Sequence, residues 1–223
     1  MTTLNELLKT AEEHRNYNWD EQFFKQFSNS EVRLLSPDPQ QGPDGWPYLI
    51  CETLTYSSSE SQIESIESVQ KLFFWLATRG IGLVVNPKRN PYPDYVFSYG
   101  MIWNFRETGY FLRPDLVQKN ADSGEVDFQN KKLQSGPPTE QFLPLYVRKV
   151  LKDFFKDQMV FKPRVLMIST DGQNFDLCFS LESLGNPPES EHAGIAEAIA
   201  WFLPTHYSIV LVSQQGLPDF IEL

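Results

Sequence analysis

Pro91-Tyr-Pro-Asp-Tyr95-Val-Phe-Ser-Tyr-Gly100-Met-Ile-Trp-Asn-Phe105-Arg-Glu-Thr-Gly-Tyr-Phe111 is the stretch on which the fold turns. Tyr95, Phe97, Tyr99, Met101, Trp103 and Phe105 take every second position. In an extended strand they share one face, with Val96, Ser98, Gly100, Ile102, Asn104 and Arg106 on the other. The spacing therefore predicts a strand with a heavy aromatic face, which either builds a core or is covered by another molecule. It follows a continuous apolar run, Ile81-Gly82-Leu83-Val84-Val85, that has the pattern of a strand buried on both faces and ends at Asn86-Pro87. That neighbour favours core packing for the heavy face. Partner contact then moves to its margins: Ser98, Asn104 and Arg106 on the opposite face and Tyr92 in the loop leading in, with Tyr99 and Trp103 as the heavy-face candidates for a groove.

Upstream, Leu4, Leu7, Leu8 and Ala11 form one helical stripe and Phe23, Phe24 and Phe27 a second, the latter capped by Asn18 or Asp20. Val32 to Leu35 and Trp46 to Thr55 read as strands separated by Pro- and Gly-containing turns. Ser61 and Glu64 make a capping box for a helix whose apolar positions are Ile63, Ile66, Val69, Phe73 and Leu76, with Gly80 past its end. Downstream, residues 113–138 turn polar and are read as a linker or hairpin between units 1–112 and 139–223. A wide apolar stripe predicts a helix from about Glu140 to Gln158. Arg164 to Thr170 and Asn174 to Ser180 form a hairpin around Asp171-Gly172, a type I′ pair. Asn186-Pro187-Pro188-Glu189 introduces a helix carrying Ile195, Ala198, Ile199 and Phe202, and strands follow at Tyr207 to Val212 and Leu217 to Leu223. This order gives an α+β class with two small mixed units, each a mainly antiparallel sheet packed against helices.

Composition narrows the function classes. The 41% hydrophobic content is that of a folded protein, and a net charge of −10 opposes binding to nucleic acid or an anionic membrane. The amino terminus has no basic-then-apolar leader and no apolar stretch spans a bilayer, so the expected compartment is the cytoplasm. Cys51 and Cys178 lack CxxC spacing and read as buried thiols. His14, His192 and His206 form no metal box, and no cofactor is expected. Gly80-Ile81-Gly82 precedes a strand instead of opening a helix, so it is no phosphate loop. Arg148, Lys152 and Lys156 share a helical row that suits either solvent or an acidic partner.

Phe23 to Leu35, the helix Ile66 to Leu76 and Gly82-Leu83-Val84-Val85-Asn86-Pro87 together resemble the SseB-like (enhanced serine sensitivity) proteins over residues 23–87. The resemblance implies an adaptor or regulatory module without a reaction, and carries over only Asn86 and Pro87, with a structural role at a strand end. The expectation is thus a non-enzymatic cytoplasmic module with a protein or peptide partner and an open question of homodimerisation. A secretion chaperone or immunity-type protein is the alternative within that class. The rival from another class is a hydrolase using Cys178 or a serine with His192 or His206.

Overall fold

The computed structural model describes residues 3–55, 65–88, 92–111 and 134–223. Its two mixed sheets, packed with helices, make an α+β protein. The chain divides into the units Met1–Phe111 and Leu112–Leu223.

In the first unit, helices α1 (Leu4–Leu8) and α2 (Tyr17–Ser28) flank a 3₁₀ turn at Glu12–His14. Thr3 and Glu6 make a reciprocal capping box on α1. Asn16, not Asn18 or Asp20, caps α2 by accepting the Trp19 N–H at 3.1 Å. Strands β1 (Glu31–Leu34), β2 (Gln40–Gln41), β3 (Pro47–Thr53), β4 (Ser65–Ser68), β5 (Gly82–Val85) and β6 (Tyr95–Phe97) form a sheet in the order β4-β1-β3-β5-β6, with β2 beside β3. Only the β3–β5 pair is parallel. Helix α3 spans Val69–Leu76, later than the capping-box reading; Ser61, Ile63 and Glu64 lie outside the described residues. Ile66 belongs to β4, paired with Arg33, and is exposed. Pairing of β4 along β1 holds those residues extended, and the Val69 N–H bonded to the Ser30 carbonyl marks where the helix begins.

The deciding stretch is half strand and half helix. Tyr95–Phe97 is β6, but α4 spans Tyr99–Thr108. Ser98 caps it by accepting the Met101 N–H, and Gly109 ends it in the left-handed region at φ 76°. All six residues from Tyr99 to Asn104 are buried. A helix buried on every side carries no stripe, so its aromatic residues can fall at alternate positions without implying a strand. The heavy residues nonetheless build the core. Phe97 is fully buried and lies 5.1–5.4 Å from the rings of Phe27, Phe73 and Phe111.

In the second unit, β7 (Gln134–Gly136), α5 (Leu145–Asp157), β8 (Arg164–Ser169), β9 (Asp176–Ser180), α6 (Glu189–Ala200), β10 (Ser208–Val212) and β11 (Ile221–Glu222) follow in order. The sheet runs β10-β9-β8-β11, and β7 pairs with the other end of β8's outer edge. Residues 134–136, at the end of the stretch read as a linker or hairpin, form a strand; Val126 and Phe128 lie outside the described residues. Pro144 precedes α5, which begins at Leu145, five residues later than expected, because residues 139–143 form a turn that buries Leu143. The β8–β9 hairpin forms, but with a longer connection than a two-residue turn: Ile168 opposes Asp176, and only Gly172 within the pair has positive φ. Asp171 organises that loop by accepting the N–H groups of Gln173 and Asn174 at 2.8 Å. Asn186 does not cap α6; it takes a left-handed turn at φ 52°, and Pro188 precedes the first helical residue.

Candidate functional site

The helix at Tyr99–Thr108 separates the residues that a strand would have gathered. Tyr99 and Trp103, four apart, both face the core, and the Tyr99 hydroxyl donates to the Ala77 carbonyl at 2.7 Å, fixing α4 to the end of α3. Asn104 is buried too; its Nδ2 donates to the carbonyls of Tyr110 and Phe111 and closes the chain past Gly109. Ser98 is spent on the cap. Arg106 alone of the α4 candidates reaches the surface. Its guanidinium lies 5.6 Å from the Phe74 ring centroid and 3.6 Å from the Glu107 carboxylate.

That contact identifies a surface the sequence pattern did not single out. On α3, Val69, Leu72, Phe73 and Leu76 face inward, whereas Phe74 and Trp75 are 53% and 41% exposed. Lys71, Trp75 and Arg79 follow at i, i+4 and i+8, and Arg79 is exposed at the turn that ends α3. The Arg79 guanidinium lies 4.1 Å over the Trp75 ring and donates to the Trp75 carbonyl at 2.9 Å and the Thr78 hydroxyl at 3.0 Å. Each exposed ring is thus flanked by an arginine, in contacts worth about 0.5–1 kcal/mol apiece at exposed sites. The signal available beforehand was that Phe74 and Trp75 fall off the apolar stripe of their own helix.

Tyr92, 67% exposed, borders a separate depression of about 360 Å³ beside Leu8, Ala11 and Pro93. Beneath it, Arg15 donates to the Asp94 carbonyl at 2.7 Å and pairs with its carboxylate at 3.1 Å. The other Asp94 oxygen accepts from Asn86 Nδ2 at 2.8 Å, while Asn86 Oδ1 accepts the Thr53 N–H at 2.8 Å. Arg15 also lies 4.5 Å over Trp19. These groups bind one another across the ends of β3 and β5, and Asn86 is where the chain turns, at φ 51°. The cluster joins backbone segments, so Arg15 and Asp94, which line the depression, are engaged with the fold itself.

In the second unit, Cys178 is buried against Leu166, Ile168 and Phe220. Burial, reinforced by the Asp176 charge, pushes its thiol up to about 12, the reverse of what an attacking thiolate needs. Cys51 is driven up by burial in the same way. His192 Nε2 lies 3.0 Å from the Pro187 carbonyl, so that nitrogen carries the proton and donates. Glu182 gathers the Ser213 hydroxyl and the Gln214 N–H, bridging the loops after β9 and β10, and is lowered to about 2 by those bonds, Ser213 first. Of the basic row on α5, Arg148 donates to the carbonyls of Leu143 and Pro138 and so braces the turn before the helix. Among the described residues no group of three or more His, Cys, Asp or Glu is placed to hold a metal ion. No described helix is long and apolar enough to cross a membrane. Comparison with family models, with curated proteins and with solved structures finds no match to this chain.

Proposed function

We propose that the protein is a non-catalytic protein- or peptide-binding module, with the outer face of α3 and the adjoining end of α4 as its contact surface. The observation that carries this reading is the pair Phe74 and Trp75, adjacent, exposed and each flanked by an arginine. Single exposed apolar residues are ordinary on a protein surface, but two large aromatic side chains exposed at successive helix positions, each beside an arginine, have the composition of an interface centre. Among the described residues, Asp94, Asp171 and Glu182 are engaged in bonds that tie loops and strand ends together, and the buried thiols are pushed away from reactivity. The resemblance of residues 23–87 to the SseB-like proteins points to the same adaptor class.

Panning displayed random peptides against the whole chain tests the reading. Peptides that enrich should lose binding to a Phe74→Ser/Trp75→Ser variant, which removes exposed area and leaves the core intact. Failure of any sequence to enrich, or equal binding to the variant, would contradict it.

A further inference from the structure

The partner that fits the α3–α4 face is narrower than a generic protein, and the conclusion rests on the contact surface proposed above. We infer that the segment seated there is an acidic peptide with apolar side chains, its apolar groups covering Phe74 and Trp75 and its carboxylates meeting Arg79, Arg106 and Lys71. The chain as a whole carries −10, yet among the described residues the charged positions of α3 and the turn that ends it are Lys71 and Arg79, with Arg106 and Glu107 in the last turn of α4. A cationic, aromatic island on an acidic protein is complementary to carboxylates locally while the surrounding surface repels polyanions at longer range.

Arg79 is held in place by the Trp75 ring and by bonds to Trp75 and Thr78. A planar guanidinium so fixed can meet a carboxylate with little further ordering of its side chain. Arg106 reaches over Phe74 from α4, its guanidinium 5.6 Å from the ring centroid, and so places a second guanidinium beside the exposed rings. Each arginine lies over one of two rings at successive positions of α3, so a segment carrying both acidic and apolar groups can engage a ring and a guanidinium together. Three cations on a chain of this net charge make nucleic acid the poorer fit.

Fluorescently labelled peptides of Glu, Leu and Phe, titrated against the full chain by anisotropy, test the inference beside two controls in which every Glu is replaced by Gln or by Lys. The Glu peptide should bind about tenfold tighter than the Gln peptide and weaken as salt is raised. Arg79→Glu and Arg106→Glu should each weaken the Glu peptide about tenfold while leaving the Gln peptide within about twofold. Both residues are at least partly exposed, so these variants should keep the fold. Equal binding of the Glu and Gln peptides, tighter binding of the Lys peptide, or displacement of the Glu peptide by an equal concentration of single-stranded oligonucleotide would overturn the inference. If the Gln peptide binds as tightly as the Glu peptide and Phe74→Ser/Trp75→Ser abolishes both, the contact surface stands and the acidic partner is refuted. If no peptide is affected by that double variant, both fall.

Discussion

Asn86 shows how much a single side chain decides in this molecule. It is fully buried, ends β5 with a left-handed φ of 51°, and connects Thr53 to Asp94 through both ends of its amide. Replacing it with Ala leaves the Thr53 N–H and one Asp94 oxygen short of a buried partner and keeps the unfavourable φ, so Asn86→Ala should cost about 2–4 kcal/mol, read from urea unfolding. Asn-Pro announces the end of a strand in the sequence, but the partners do not, because Asp94 arrives by way of a separate loop. Gly82 is similar. A Cβ there would lie 2.5 Å from the Tyr48 ring and 2.7 Å from the Phe97 carbonyl, and Tyr48 is tethered by its hydroxyl to Asp44 at 2.6 Å. Gly82→Ala should therefore destabilise the chain by about 3 kcal/mol in the same assay. What resembled half of a phosphate loop is a close approach between a ring and a strand. The cysteines were readable as buried from their apolar neighbours. Neither thiol should react with a disulfide reagent at neutral pH until denaturant is added; rapid labelling of Cys178 in the native protein would refute that placement.

At the scale of elements, α4 marks the limit of periodicity as a guide. Alternating aromatic residues imply a strand only when the intervening residues face water, and here Gly100, Ile102 and Asn104 are as buried as Tyr99, Met101 and Trp103. The decisive local signals are the ends: a serine able to cap and a glycine able to enter the left-handed region. Gly109 has open space around its missing Cβ, so Gly109→Ala measures the conformational term alone and should cost about 1 kcal/mol. Ser98→Ala should cost a similar amount, about 1 kcal/mol, through loss of the Met101 N–H bond. Both are checked by shifts in denaturation midpoint; a strand at these positions would be indifferent to either cap. The helix starts at Tyr17, Val69 and Leu145 escape the apolar pattern for related reasons, since each is set by a cap, a β-pairing or a turn contact that lies off the apolar stripe.

For the whole molecule, α+β class and the two mixed sheets were legible because hairpins and helices alternate irregularly along the chain. The contact face was not, because burial on the far side of a helix is a tertiary property. Acid stability follows from the loop bridge in the second unit. Glu182 falls from its ordinary 4.5 to about 2 through hydrogen bonds to its carboxylate, and Asp171 is lowered in the same direction by the N–H groups of Asn174 and Gln173. Their stabilising effect is fully present above the unfolded-chain values and is lost as pH falls through the folded ones. The urea midpoint should decline from about pH 5 to about pH 2, and Glu182→Gln should flatten part of that decline. The exposed aromatic pair on α3 is the surface proposed for contact. Hydrogen–deuterium exchange with a bound, panned peptide maps where that surface is used. The account predicts added protection in α3 and the C-terminal half of α4, whereas protection confined to the Tyr92 depression or to residues 134–223 would contradict it.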